Sequence, residues 1–206
     1  MNQRINFFGG YYRPFDEDLD TIIVGIDPGV TTGLSVVAFS SKSIPTPQTV
    51  EHWGSDQISY GGSGNVEDLI DDGVDDAFVE QRISLKIAEA ITALSKFSGN
   101  ETKTRRVIVA IENFTVRQLN SSAEFLAPVR LAAGITQELF HTDNTKIYFQ
   151  TPADAKGICT DKRMDKWGYE IKTQKDRHSR DADRHAILCL RRILENPRRM
   201  EASSFL

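Results

Sequence analysis

The amino-acid sequence predicts an α/β fold in which a mixed sheet of five strands is flanked by helices. Two apolar runs, residues 21–26 and 107–111, are each followed by an acid. Uninterrupted apolar runs of this length are typical of strands that are buried on both faces of a sheet. Segments with helical spacing separate the later strands. The resulting order, βββ-α-β-α-β-α, predicts that the first three strands are antiparallel and that the last two are parallel.

The first half of the chain is predicted to form the antiparallel strands and one helix. A strand over 21–27 leads into a tight turn over 28–33, whose sequence is Pro-Gly-Val-Thr-Thr-Gly. The returning strand covers 34–39, and a poorer strand covers 50–58. Apolar residues close to helical spacing predict a covering helix over 77–97, which Ser-Gly-Asn closes.

The second half is predicted to supply two strands and three helical segments. A capping-box pattern, Ser121-Ser-Ala-Glu124, opens a helix toward Phe140, and Pro128 is expected to kink this helix. The best-formed helix covers 179–194. The remaining elements are strands over 107–112 and 146–150 and a partly helical segment over 152–167.

Length and composition suit one globular domain. At 206 residues and 39% hydrophobic content the chain can form one core, and we expect a domain over 21–195 between tails over 1–20 and 196–206. No apolar run approaches the roughly 18–20 residues that a membrane span needs, and the N-terminal residues do not resemble a secretion signal. The cysteines, Cys159 and Cys189, lack metal-ligand spacing, so we expect two reduced thiols. A soluble protein of the cytoplasm is therefore expected.

Charge is distributed unevenly along the chain. The net charge is −4, but residues 1–100 carry 6 Lys and Arg against 15 Asp and Glu, whereas residues 101–206 carry 19 against 14. This asymmetry is compatible with one basic face that meets phosphate groups. Much of the acidity lies in 67–76, after a turn-rich segment, and is expected to form a solvated loop.

Acids stand at the ends of two predicted strands. Asp27 and Glu112 each follow an apolar strand directly, which places them at the edge of the sheet where α/β folds bind their ligands. For either acid alone, a role in capping a loop amide would be favoured. Two carboxylates at one edge repel each other unless a cation lies between them. The pair therefore indicates a cation site.

The C-terminal helix is amphipathic, and its faces can be assigned at about 100° per residue. Its apolar residues fall on one buried stripe: Ala182, Ala186, Cys189, Leu190 and Ile193. Four arginines form a narrow basic ridge: Arg177, Arg180, Arg184 and Arg191. The seam between stripe and ridge holds His178, Asp181 and His185. Asp183 points elsewhere, so we interpret it as structural or solvated.

The strand-end acids and the seam residues suggest metal-dependent hydrolysis. Asp27, Glu112, Asp181 and His178 offer oxygen and imidazole ligands that suit one or two Mg²⁺ or Mn²⁺ ions. Two ions about 3.5–4 Å apart can activate water and stabilise the leaving oxygen when a phosphodiester is displaced in line. His178 could bind metal directly, position and deprotonate the water, or simply cap its helix. The other histidines, at 52, 141 and 185, are interpreted as ordinary packing or surface residues.

These motifs together resemble a known family. Gly25-Ile-Asp27-Pro-Gly-Val-Thr-Thr-Gly33, then Ile111-Glu112, then His178-Ser-Arg-Asp181-Ala182 resemble the RuvC branch of the RNase H-like nucleases, over about residues 21–195. The resemblance implies a mixed five-stranded sheet and a homodimer that nicks Holliday junctions symmetrically with Mg²⁺. Short chains of this kind also occur in bacteriophages, so the resemblance is compatible with a phage origin.

The resemblance also implies roles for individual residues. Asp27 and Glu112 match the first two metal-binding acids of the family, and His178 and Asp181 match the last pair. In the alternative register Asp183 would be the final acid and Arg180 would occupy the other position, and we reject that register. Further residues are expected to contact DNA: Lys156, Lys162 and Lys166, which resemble a basic stretch near the scissile phosphate, the ridge residues Arg177, Arg180 and Arg184, and Phe114, which could stack on bases. The alternatives are a solvated helix face for the lysines and a place in the core for Phe114.

Three other functions share some of these sequence features. The segment from Asp27 to Gly33 also resembles the first phosphate loop of actin-like ATPases and sugar kinases, but those folds need two domains and a second glycine-rich loop. Nucleases that process ribosomal RNA lack the His-x-x-Asp ending. A non-catalytic junction-binding dimer would gain nothing from unpaired carboxylates beside phosphate. A RuvC-fold nuclease with another structured DNA or RNA substrate remains the main alternative.

Overall fold

The computed structural model describes residues 18–43, 45–59, 76–96, 105–114, 123–169 and 177–196. Most of the predicted tails and of the predicted acidic loop lies outside the described residues; within these segments only 18–20, 76 and 196 are described. The elements are, in order, β1 (Thr21–Asp27), β2 (Thr31–Phe39), β3 (Glu51–Ser59), α1 (Asp76–Ser95), β4 (Arg106–Glu112), α2 (Ala123–Leu139), β5 (Thr145–Gln150), α3 (Pro152–Ile158), α4 (Asp161–Lys166) and α5 (Arg177–Glu195).

The strands form one mixed sheet with the order β3-β2-β1-β4-β5. The pairs β1–β2 and β2–β3 are antiparallel, whereas β1–β4 and β4–β5 are parallel. The predicted fold class is thereby confirmed. The two apolar runs become the central strands β1 and β4, which have a neighbouring strand on each side and helices on each face. This position explains why neither strand alternates between apolar and polar residues.

Alternate residues of the central strands supply two separate cores. Ile22, Val24 and Ile26 of β1 pack on the face that α1 and α2 cover. Ile23, between them in sequence, packs on the opposite face with α5 and the α3–α4 segment. This alternation follows from the two-residue period of a strand. The sheet is therefore the middle of three layers, and α5 lies directly against it.

Two glycines allow α5 to approach the sheet closely. A Cβ atom added to Gly25 of β1 would lie 2.1 Å from the carbonyl oxygen of Ala182, and one added to Gly33 of β2 would lie 1.9 Å from that of His178. Neither contact is possible for a residue with a side chain, because helix backbone occupies the space. The first and last glycines of the Gly-x-Asp-Pro-Gly-x-x-x-Gly motif thus fix the separation between helix and sheet.

The start of β2 differs from the sequence prediction, which placed it at residue 34. The strand begins at Thr31 because Thr31 and Thr32 already pair with β3, and Gly33 pairs with Asp27. The turn after Asp27 is therefore shorter than predicted. Thr32 is buried, and its hydroxyl donates to the carbonyl oxygen of Gly29 at 2.8 Å. The backbone that follows Asp27 is therefore fixed by the pairing of β2 with β1 and β3 and by this hydrogen bond.

The two cysteine thiols are buried and form no disulfide, as predicted. Burial raises the pKa of the Cys159 thiol to about 11, against the opposing effect of Arg191, Arg184 and Arg163. A thiol with so high a pKa is a poor nucleophile at neutral pH. None of the described helices combines the length and apolar character needed to cross a membrane.

Candidate active site

Three parallel strands end in polar side chains at the same edge of the sheet. β1 ends in Asp27, β4 in Glu112 and β5 in Gln150. Ile26 is paired with Ile111, and Glu112 is paired with Gln150, so the three strand ends are level with one another. Because side chains at the carboxyl ends of parallel strands face a common cleft, this edge is the expected ligand site of the fold.

One face of α5 is placed against these strand ends. The Nδ1 atom of His178 lies 2.8 Å from Oδ2 of Asp27, and the Nε2 atom of His185 lies 2.9 Å from Oε2 of Glu112. The two histidines are two helical turns apart and so share one face of the helix. Asp181 lies between them on the same face. α5 therefore contacts Asp27 through His178 and, two turns further along the helix, contacts Glu112 through His185.

Asp181 is bound by two basic side chains. Nζ of Lys156, in α3, lies 3.2 Å from Oδ2 of Asp181, and Arg184 donates to Oδ1. Lys156 is more than half exposed, whereas the Asp181 side chain is largely buried. Lys156 and Arg184 thus compensate the negative charge of Asp181.

The three acids interact electrostatically. Burial is the largest influence on Asp27 and raises the pKa of its carboxyl group. The hydrogen bond from His178 lowers that pKa, while the charges of Glu112 and Asp181 raise it further. The net direction is upward. A nearby cation would accordingly favour the ionised form of Asp27.

The donor set suits a divalent metal ion, although the side chains do not enclose one as they stand. Among the residues that the structure describes, no three His, Cys, Asp or Glu side chains are grouped closely enough to hold a metal ion. In this arrangement Lys156, Arg184 and the two histidines engage the carboxylates instead. Three mutually influencing carboxylates beside an imidazole nevertheless have the chemistry that Mg²⁺ and Mn²⁺ prefer.

The prediction of a basic ridge on α5 is wrong for Arg180 and Arg184, which are buried. Arg180 is 3% exposed and donates to the carbonyl oxygen of Tyr169 at 2.7 Å and to Asp165 at 2.8 Å. Arg184 is 9% exposed and donates to the carbonyl oxygen of Cys159 at 3.1 Å. The physical reason is that the α3–α4 segment packs across this face of the helix.

Those two arginines therefore anchor the α3–α4 segment instead of facing solvent. Of the other ridge residues, Arg177 is exposed, and Arg191 is half-buried and lies 4.0 Å from Glu195. Lys162 and Lys166 of α4 are exposed, as a DNA contact requires. Phe114, two residues beyond β4, is half-buried and not part of either hydrophobic core.

Asp183 has the structural environment that the sequence suggested. It is buried on the opposite side of α5 from the candidate site. Its Oδ1 atom accepts from the hydroxyl of Ser35 at 2.6 Å and lies 3.1 Å from Nε2 of His52. Asp183 therefore ties α5 to β2 and β3, and Asp181 is the acid that faces the strand ends.

The sequence interpretation missed His185 and Gln150. We expected His185 to be an ordinary packing or surface residue, yet it is 1% exposed and contacts Glu112. Two signals could have identified the pair. His185 lies two turns after His178 on the same helix face, and Gln150 ends a strand just as Asp27 and Glu112 do.

Comparison with known proteins gives likeness of fold only. No family model and no curated protein matches the chain. The Thermus thermophilus RuvC structure is 14% identical, with 84% of this chain and 96% of that chain covered and a TM-score of 0.51. A structure of T. thermophilus RuvC in complex with Holliday junction substrate is 15% identical, with coverage of 81% and 91% and a TM-score of 0.49. The first of these likenesses shows that the chain has a RuvC-like fold.

Proposed function

We propose that the protein is a metal-dependent endonuclease that hydrolyses phosphodiester bonds in branched DNA and resolves Holliday junctions by paired nicks. The observation that carries the proposal is that Asp27 and Glu112 end adjacent strands of a RuvC-like sheet, with His178 in contact with Asp27 and with the charges of Glu112 and Asp181 near enough to raise the pKa of Asp27. Isolated acids at strand ends have structural explanations, but three mutually influencing carboxylates at a ligand-binding edge favour a cation. Phosphodiester hydrolysis is the reaction that such a centre best serves.

Each residue of the candidate site would have a distinct role in the reaction. Asp27, Glu112 and Asp181 would hold one or two Mg²⁺ or Mn²⁺ ions, which when bound supply an activated water and neutralise the leaving oxygen. His178 donates from Nδ1 to Asp27 when that acid is ionised, which leaves the lone pair on Nε2. A neutral imidazole in this tautomer can accept a proton from the attacking water. In this arrangement Nε of the exposed Arg177 donates to the same nitrogen at 3.4 Å, so that hydrogen bond would have to break before Nε2 accepts a proton. The released guanidinium would then contact a phosphate.

The DNA would lie over α3, α4 and the start of α5. Lys156 is already beside Asp181, and Lys162 and Lys166 extend the exposed basic surface along α4. Lysines contact phosphate as mobile point charges and fix the duplex without reading its sequence. We propose that Phe114, at the end of β4, stacks on a base at the branch point. The protein is proposed to act in the cytoplasm as a homodimer, since two linked sites are needed for paired nicks.

One experiment separates this function from its alternatives. Purified protein is incubated with a four-way junction, a fork, a linear duplex and a structured RNA, each with Mg²⁺, Mn²⁺ or a chelator. We expect metal-dependent, symmetrical nicks in the four-way junction and much weaker cutting of the others. Equal cutting of all four would reject junction specificity. No cutting of any substrate with either metal would reject the nuclease, and sedimentation of the protein with and without junction tests the dimer.

The buried arginines and the exposed lysines should respond differently to substitution. Arg180→Ala is expected to lower the free energy of unfolding by about 2 kcal/mol, because charged hydrogen bonds to Tyr169 and Asp165 are lost. Lys162→Ala should change the free energy of unfolding by less than about 0.5 kcal/mol. It should also reduce the slope of junction affinity against salt concentration by the amount expected for the loss of about one phosphate contact. Urea unfolding and a salt titration of the dissociation constant measure the two effects. An unchanged stability for Arg180→Ala would contradict the anchoring role.

A further inference from the structure

His185 is a buried histidine with both ring nitrogens engaged. Its side chain is 1% exposed, in the middle of α5, where the helix is buried on nearly every side. Nε2 lies 2.9 Å from Oε2 of Glu112, and Nδ1 lies 3.1 Å from the side-chain amide of Gln150. A strand-end acid of the candidate site is therefore linked through an imidazole to the end of the next strand.

The surroundings of Gln150 determine where the imidazole carries its proton. The amide atom that faces Nδ1 of His185 also lies 3.1 Å from the backbone carbonyl oxygen of His185, which can only accept. That amide atom must be the nitrogen, because two oxygens at this distance would repel each other. The amide oxygen then accepts from the backbone N–H of Cys189 at 3.3 Å. Gln150 therefore donates to Nδ1, so Nδ1 is the acceptor and the ring proton lies on Nε2.

This tautomer has the polarity that Glu112 requires. An ionised carboxylate only accepts hydrogen bonds, and the Nε2–H group of His185 donates one to Oε2. The hydrogen bonds run in one direction, from Gln150 to His185 to Glu112. The opposite tautomer would place a lone pair against the carboxylate and a second N–H group against the amide nitrogen.

The two ends of this relay are fixed by the backbone. Glu112 and Gln150 are paired in the parallel register of β4 and β5, and the carbonyl oxygen of Gln150 accepts from the N–H of Asn113 at 2.7 Å. His185 is fixed by the packing of α5 against the sheet. The backbone of each member is thus fixed by strand pairing or by helix packing. The imidazole is therefore a buried support for the Glu112 side chain.

We propose that the Gln150–His185–Glu112 relay positions the Glu112 carboxylate, so that Oε2 is held from behind and Oε1 is presented to a metal ion. The inference rests on the proposed function, since it assigns Glu112 to the metal site. His185 is a positioning residue and Gln150 supports it, because neither reaches the reacting atoms. Loss of such an outer partner of a metal ligand typically weakens metal affinity about 10- to 100-fold.

The first test is the affinity of the full-length protein for Mn²⁺ without DNA, measured by calorimetry. His185→Leu is expected to weaken binding about 10- to 100-fold, and Gln150→Leu is expected to weaken it less. His185→Gln should restore most of the affinity, since its amide nitrogen can replace the Nε2–H donor. His52→Leu is the matched control: it removes a histidine contact with a carboxylate on the other side of α5, at 3.1 Å, and should leave Mn²⁺ affinity unchanged.

The second test is the tautomer of His185, which NMR reports directly through the two imidazole nitrogen shifts. In the wild-type protein we expect a single tautomer of His185, with the proton on Nε2. In Gln150→Leu we expect this single tautomer to be lost. A ring protonated on Nδ1 would overturn the relay. So would wild-type Mn²⁺ affinity in a folded His185→Leu variant. If the wild-type protein neither binds Mn²⁺ nor cuts DNA, the proposed function fails instead, and the NMR result then shows separately whether the hydrogen-bond relay exists.

Discussion

Asp27→Asn is expected to abolish DNA cleavage and to leave binding to a four-way junction in Ca²⁺ intact. Asp27 is the most buried of the three acids, and both other carboxylates influence its ionisation. An amide removes its charge but keeps its shape and can still contact His178. We expect the cleavage rate to fall at least about a thousandfold, because each tenfold loss corresponds to about 1.4 kcal/mol and a metal centre contributes several kcal/mol.

The matched control for this prediction is Asp183→Asn. Asp183 is also a buried acid, on α5 itself, but its partners are Ser35 and His52, on the far side of the helix from the candidate site. Its substitution should lower stability and leave cleavage close to wild type at a temperature where the protein is folded. Cleavage at the wild-type rate by Asp27→Asn would contradict the site. Loss of cleavage in Asp183→Asn together with its retention in Asp181→Asn would favour the register that we rejected.

Gly33→Ala is expected to destabilise the fold by about 3 kcal/mol or more. The added Cβ would lie 1.9 Å from the carbonyl oxygen of His178, and backbone atoms cannot move aside as the end of a flexible side chain can. Overpacking a well-packed interface typically costs about 1–3 kcal/mol, and contact with helix backbone places this substitution at or above the upper end. Urea unfolding followed by circular dichroism measures the change.

The same substitution should also reduce activity, because the clash pushes the start of α5 away from β1 and β2. His178 would then lose its 2.8 Å contact with Asp27. Gly157→Ala is the control: a Cβ at Gly157 has nothing within 4 Å, so this variant should be as stable as wild type or more stable by up to about 1 kcal/mol. Equal stability of Gly33→Ala and Gly157→Ala would show that the helix does not depend on the glycine for its position.

The sequence by itself determined the fold class and the identity of the strand-end acids. The apolar runs before Asp27 and Glu112 are local signals: a strand that is buried on both faces must be apolar throughout, whatever packs against it. The apolar stripe of α5 is equally local, since helical geometry places its members on one face. These elements were accordingly predicted to within a few residues of their observed bounds.

The tertiary structure decided which polar residues meet. The angular position of Arg180 and Arg184 on α5 follows from the sequence, but nothing in the sequence shows that the α3–α4 segment covers that face and buries both guanidinium groups. The close approach of α5 at Gly25 and Gly33 likewise depends on how helix and sheet dock. Docking is a cooperative property of distant segments, and periodicity within one segment carries no information about it.

His185 is the clearest example of a residue whose helix face follows from the sequence and whose contacts follow from the tertiary structure. The sequence placed it on the same helix face as His178 and Asp181, which is a local property. Its role depends on Glu112 and Gln150, which come from two other strands and meet it only because β4 and β5 end level beneath α5. The sequence thus determined the acids and the helix face that could carry the chemistry. Only the packing of α5 on the sheet decided which histidine supports which carboxylate, because hydrogen-bond partners are set by distances between segments that are remote in the chain.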